Sequence, residues 1–154
     1  MPWISIGALL AVAFKVSDNN AASNSMMTTS AQMAPTSQPI ENVKLVVKSD
    51  EEHARMGPEG TWHDAFLPAD FSVKAGAVVK VTVYNYDEGE HSFTAPGLGA
   101  NVAIAAGSKS KPAVTTFTIH APAKAGLYEW LCAIPCDPWA MNQNGYMRGN
   151  VRVV

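Results

Sequence analysis

Val78-Val-Lys-Val-Thr-Val-Tyr84 is β-branched at nearly every position, and no other stretch constrains the fold as strongly. Two heavy atoms on Cβ stiffen the side chain and favour a pleated, half-buried strand over a helix. The chain from residue 41 onward follows the same pattern. Asn42–Lys48 has an apolar centre, His91-Ser-Phe93 opens a segment that Pro96-Gly-Leu-Gly99 breaks, and Val102–Ile104 is another short strand. Val114–Ile119 alternates, and Tyr128, Trp130 and Cys132 share one face of a strand over Leu127–Cys132. Val151 and Val153 likewise share a face of a closing strand. Turns at Lys74-Ala-Gly76, Asn85–Glu90 and Ala121–Gly126 punctuate the segments; Asp50–Gly60 reads as polar loop, and Thr61–Val73 carries scattered aromatic residues. About seven or eight short strands with no helical period predict an all-β fold, an antiparallel Greek-key β-sandwich or small barrel.

The domain so defined spans residues 41–154, and two segments of different character precede it. Trp3–Phe14 is an apolar run broken only by Ser5 and Gly7. As a helix it would reach roughly 18 Å, short of the ~30 Å hydrocarbon layer. Its length suits the apolar part of an export signal, although no Lys or Arg precedes it and Lys15 follows it. Residues 1–16 are therefore expected to be a signal or membrane-anchor segment, with an incidental apolar end as the alternative. Residues 17–40 shift to Ser, Thr, Asn, Ala, Gln and Met, with Asp18 the one charge before Pro39. Such a stretch buries too little apolar surface to offset its ordering entropy, so a flexible linker is expected, its ends on the order of 25–30 Å apart. Met26, Met27 and Met33 read as tolerated linker residues. A net charge of −2 and the lack of a basic run exclude nucleic acid as an expected partner.

Both cysteines lie in the long loop between the last two strands, together with Met141 and Met147. Cys132 and Cys136 close too small a loop to staple the fold. A metal, a redox disulfide or two bystander thiols remain as readings. Soft sulfur donors on a loop between two strands are what a thiolate copper site requires. An imidazole at the start of a strand, His91, would complete such a site. Trp139 and Met141, inside the loop, are expected to shield it.

His91-Ser-Phe-Thr-Ala-Pro96-Gly-Leu98-Gly99, then Cys132-Ala-Ile-Pro-Cys136, then a Met before a closing strand, resembles the binuclear copper domain of cytochrome c oxidase subunit II, within the cupredoxins. The resemblance covers about Phe71 to Val154. It implies a copper cofactor, with Cys132 and Cys136 as bridging thiolates, His91 as an imidazole ligand and Met147 as a weak thioether. The Ile134 carbonyl would complete the set, where the family has Glu. One element departs from the pattern. The family's second His follows the second Cys by four residues, and that position is Ala140 here. Gln143 and Asn144 are the nearest polar residues before Met147, and His63 and His120 are further candidates, His120 being expected at the surface. A binuclear centre, a mononuclear thiolate site and a site without copper all stay open.

The function implied is non-enzymatic one-electron transfer by an extracytoplasmic copper protein, periplasmic or at the cell surface. Its partners would be a redox donor and a redox acceptor, with a possible membrane tether. The alternative is a copper carrier or assembly protein that delivers metal to an oxidase.

Overall fold

The computed structural model describes residues 40–49 and 54–154. The expected apolar segment 1–16 and the linker expected over 17–40 lie outside the described residues, apart from Ile40. The elements in chain order are strands β1 (Ile40–Lys48), β2 (Arg55–Met56), β3 (Trp62–His63), β4 (Ala65–Leu67), β5 (Phe71–Val73), β6 (Val78–Asn85), β7 (His91–Ala95), β8 (Ala100–Ile104), β9 (Ala113–His120), β10 (Gly126–Leu131) and β11 (Arg148–Val153). Short 3-10 turns occupy Pro96–Leu98 and Ala140–Asn142. Among the described residues no helix is long and apolar enough to cross a membrane.

The strands form a β-sandwich. One sheet runs in the order β4-β1-β6-β9 and the other β5-β11-β10-β7-β8, with β2 and β3 a separate hairpin. The β-branched run becomes β6, central in its sheet, where Val79, Val81 and Val83 are fully buried and alternate with less buried neighbours. Leu45 and Val47 of β1 extend the same inner face. From the opposite sheet Phe93, Trp130, Val151 and Val153 enter one continuous core with them. Phe93 stacks on Trp130 at 5.0 Å, and Phe66 meets Trp130 edge-on at 4.8 Å. Burial of each such large side chain contributes roughly 1.5–3 kcal/mol over leaving it exposed. The indole N–H of Trp130 donates to the Ala69 carbonyl at 2.7 Å, so its one polar atom is satisfied inside the core.

Two features differ from the sequence expectation. Eleven strands are present among the described residues, because Arg55–Val73 resolves into β2, β3, β4 and β5 rather than loop and scattered apolar residues. Strands of two or three residues show too few alternations to register as a period. The sheets are also not wholly antiparallel: β1 runs parallel to β6, and β11 parallel to β5. Pairing direction is set by the long crossovers of the Greek key, which leave no local mark in the sequence.

Candidate metal centre

The site stands on three adjacent strands of one sheet. β10 lies between β11 and β7 and is antiparallel to both, with Leu131 paired to Arg148 and to Thr94. Cys132 directly follows the end of β10, His91 begins β7, and Met147 directly precedes β11. Antiparallel pairing therefore brings three residues remote in sequence to one end of the sheet. Cys132 N–H donates to the Met147 carbonyl at 2.8 Å, prolonging the ladder past the last assigned pair.

His91 is fully buried. Its position begins with Asn85, also fully buried, whose side chain donates to the carbonyls of Gly89 and Ala105 at 2.9 Å each. The Asn85 side-chain oxygen accepts from Asp87 N–H at 2.9 Å, an Asx turn that fixes Asp87. Gly107 N–H donates to the Asp87 carbonyl at 2.8 Å, and a Cβ at Gly107 would stand 1.9 Å from the Asn85 carbonyl oxygen. Only glycine fits that close approach. Asp87 so held accepts the Nε2–H of His91 at 2.8 Å. With Nε2 committed, Nδ1 is the ring atom that faces Cys132 Sγ, 3.9 Å away. Burial alone would push the His91 pKa down, but the Cys132 sulfur and the Asp87 carboxylate outweigh it and raise the value.

Cys132 is buried and Cys136 half-buried, and both are free thiols. Ser92 N–H donates to Cys132 Sγ at 3.3 Å, and the Cys136 thiol donates to it at 3.7 Å. Ser92 Oγ in turn accepts from Ala133 N–H at 2.8 Å, which ties β7 to the start of the ligand loop. The Cys136 hydrogen bond, opposed by burial and helped by His91 and the Ser92 N–H, pulls the Cys132 pKa well down. The same S–H···S hydrogen bond and burial push Cys136 up. Of the two sulfurs, Cys132 therefore gives up its proton the more readily.

His91, Cys132 and Cys136 each offer a donor atom, and the three atoms lie within 4.8 Å of one another. Met147 is fully buried beside them along the backbone. The Ile134 carbonyl oxygen is 3.4 Å from Cys132 Sγ. Two sulfurs and an imidazole with its tautomer preset by a carboxylate form a soft donor set that suits copper. Outside this cluster, Asp64, Asp87, Glu88, Asp137 and Lys109 line a cavity of about 350 Å³ with Cys136 in its wall.

The second imidazole is not supplied within the cluster. Ala140, at the position where one would fall, is fully buried, and its backbone serves the loop by donating to Asp137 and accepting from Met147 N–H. His63 has both ring nitrogens engaged, by Asp137 Oδ2 at 2.7 Å and by Glu59. His120 is exposed, as expected, at the end of β9. Asn144 is exposed, and Gln143 caps the 3-10 turn through its backbone bond to Ala140. Trp139 lies in the ligand loop with its ring stacked on His63 at 4.1 Å. Sequence reading missed Asp87, Ser92 and Asp137. Asp87 is four residues before His91 in what reads only as a turn, and Ser92 and Asp137 adjoin ligand candidates without any spacing to mark them.

A two-sheet β-sandwich that gathers an imidazole and two thiols at one end of three neighbouring strands defines a small thiolate metal protein. The chain belongs to the family of the cupredoxin-like domain, whose model matches residues 7–151. Copper is the cofactor to which this membership and the donor set point. Among solved structures, it is similar to a blue copper oxidase from Nitrosomonas europaea, with 18% identity over 75% of this chain and 39% of that one at a TM-score of 0.56. It also resembles a heme-copper terminal oxidase chain (18% identity, 74% of this chain, 65% of that one, TM-score 0.48). A third likeness is to auracyanin A, a blue copper protein from Chloroflexus aurantiacus (16% identity, 75% of this chain, 100% of that one, TM-score 0.45). The chain spans 65% of the terminal oxidase chain and 39% of the blue copper oxidase. At these identities the likeness is one of fold. No curated protein matches this chain.

Proposed function

We propose that this chain is an extracytoplasmic copper protein that transfers single electrons, with the metal held by Cys132, Cys136, His91 and Met147. The observation that carries the reading is the convergence of the imidazole and both sulfurs within 4.8 Å. Copper, when bound, would supply a one-electron couple stable in both oxidation states. The residues do the rest. Ser92 N–H donates to the Cys132 sulfur, and Asp87 holds the imidazole so that Nδ1 faces the sulfurs. Phe66, edge-on to His91 at 6.2 Å, and the buried Trp130 behind it help keep water from that side. His91, Cys132 and Met147 sit at strand ends and move little, and a site that need not rearrange between oxidation states suits electron transfer better than turnover of a substrate. The apolar run at Trp3–Phe14 and the polar stretch after it support export with a possible tether. Donor and acceptor redox proteins would be the partners, and the protein itself no enzyme.

A second reading, copper delivery, is favoured by the single imidazole in the cluster and by Cys136 standing in the wall of an open cavity. Redox titration of the copper-loaded protein against a Cu(I)-transfer assay separates the two. Repeated reduction and reoxidation without metal loss supports electron transfer. Ready transfer of Cu(I) to an acceptor protein, with loss on cycling, supports delivery.

A further inference from the structure

The two thiols are held in different ways. Cys132 is fixed by the sheet, through the backbone bond to Met147 and the Ser92 N–H to its sulfur. Cys136 lies four residues out on the loop, and its neighbour Asp137 carries the anchoring contacts. Asp137 Oδ1 accepts from Trp139 N–H at 3.0 Å and Ala140 N–H at 2.9 Å, folding the loop on itself. Asp137 Oδ2 accepts from the Nδ1–H of His63 at 2.7 Å and from Asp64 N–H at 3.3 Å, fastening the loop to the segment around β3. The carboxylate thus has all of its approximately four acceptor sites in use.

His63 makes a second contact with the same loop. Its ring stacks on Trp139 with centroids 4.1 Å apart and planes 21° from parallel, and Tyr146 closes edge-on against both rings. The Tyr146 hydroxyl donates to the Met56 carbonyl at 2.8 Å, and the Arg55 guanidinium donates to the Gly145 carbonyl at 2.6 Å. The small β2–β3 hairpin therefore grips the ligand loop at Asp137, Trp139, Gly145 and Tyr146, with His63 at the grip nearest Cys136. Consecutive Cα atoms are ~3.8 Å apart, so a displaced Asp137 carries Cys136 with it.

We propose that His63 is a positioning residue: through its bond to Asp137 it sets where the Cys136 sulfur stands relative to Cys132 and His91. The proposal rests on the copper reading for its consequence at the metal, while the placement of Cys136 is testable without any metal. His63→Phe keeps a ring over Trp139 and loses the bond to Asp137; His63→Asn keeps a donor toward Asp137 and loses the ring.

Two measurements on the full chain decide it. In the metal-free protein, the rate of Cys136 alkylation by iodoacetamide, followed by peptide mass spectrometry in a Cys132→Ser background, is expected to rise several-fold in His63→Phe and to return toward the parent rate in His63→Asn. In the copper-loaded protein, Cu(I) affinity against a competing chelator is expected to fall about 10–100-fold in His63→Phe, as for other outer-shell partners, with a shifted reduction potential, and His63→Asn to recover most of both. Parent alkylation rates and unchanged potential in a folded His63→Phe would overturn the proposal. So would equal damage in both variants, which indicates a structural role without orientation. Should His63→Phe fail to fold, His63→Gln, which cannot place its amide as the Nδ1 donor stands, takes its place with the same expected result. A wild-type chain that binds no copper would refute the copper reading but leave the alkylation arm to judge His63.

Discussion

Nδ1 of His91 and Sγ of Cys132 face each other at 3.9 Å although 41 residues separate them in the chain. The approach exists because β7 and β10 are antiparallel neighbours and because Asp87 holds the opposite ring nitrogen. Replacing Asp87 by Ala removes the acceptor that fixes the tautomer. Cu(I) affinity is expected to fall about 10–100-fold by chelator competition while the fold, followed by far-UV circular dichroism, is retained. Asn at the same position, which keeps an acceptor oxygen, is expected to lose less.

The two cysteines are expected to behave unequally. Cys132 is buried and held by the sheet, whereas Cys136 is half-buried at a cavity wall. Cys132→Ser should abolish the visible sulfur-to-copper absorption of the Cu(II) protein. Cys136→Ser should leave a shifted, weaker band, since Cys132, His91 and the Ser92 N–H all remain. Optical titration of both variants with Cu(II) checks this, and equal loss in both would contradict it.

His63 gives the metal-free protein a pH signature. Burial alone would lower its pKa, but hydrogen bonds to Glu59 and Asp137 raise it above the ordinary value of 6.5. The groups packed around it are those two carboxylates, the rings of Trp139 and Tyr146, and Arg55 beyond Tyr146. A raised folded-state value means that the stabilisation is complete below 6.5 and is lost as pH rises through the higher folded value. Glu59 and Asp137 are lowered, so their share persists down through their ordinary values of 4.5 and 3.8 and is lost in more acid solution. The stability that the parent holds over His63→Gln in thermal melts should therefore shrink as pH rises above 6.5.

Gly149 marks a second close approach, beneath Trp130. A Cβ there would stand 2.3 Å from the Ala69 carbonyl oxygen and 2.9 Å from the Trp130 indole nitrogen, two atoms bonded to each other. Gly149→Ala is expected to cost about 1–3 kcal/mol, as overpacking does, and more if the Trp130–Ala69 bond breaks. Urea denaturation of the metal-free protein measures it.

The sandwich was legible from β6 and from the alternation at Tyr128, Trp130 and Cys132, because long half-buried strands impose a period of two. The short strands between Arg55 and Val73 were not, and they proved to hold the ligand loop through His63, Met56 and Arg55. The convergence of His91 with Cys132 and Cys136 followed from spacing and resemblance. Asp87, Ser92 and Asp137 stayed hidden because their roles depend on which loops meet, a property of the folded chain.

Copper K-edge X-ray absorption of the loaded full chain, with and without His91→Ala, tests the shared coordination sphere most directly. Sulfur scatterers together with imidazole in the wild type, and loss of the imidazole signal in His91→Ala, is the predicted result. A first shell of oxygen and nitrogen alone, unchanged by the substitution, would contradict it.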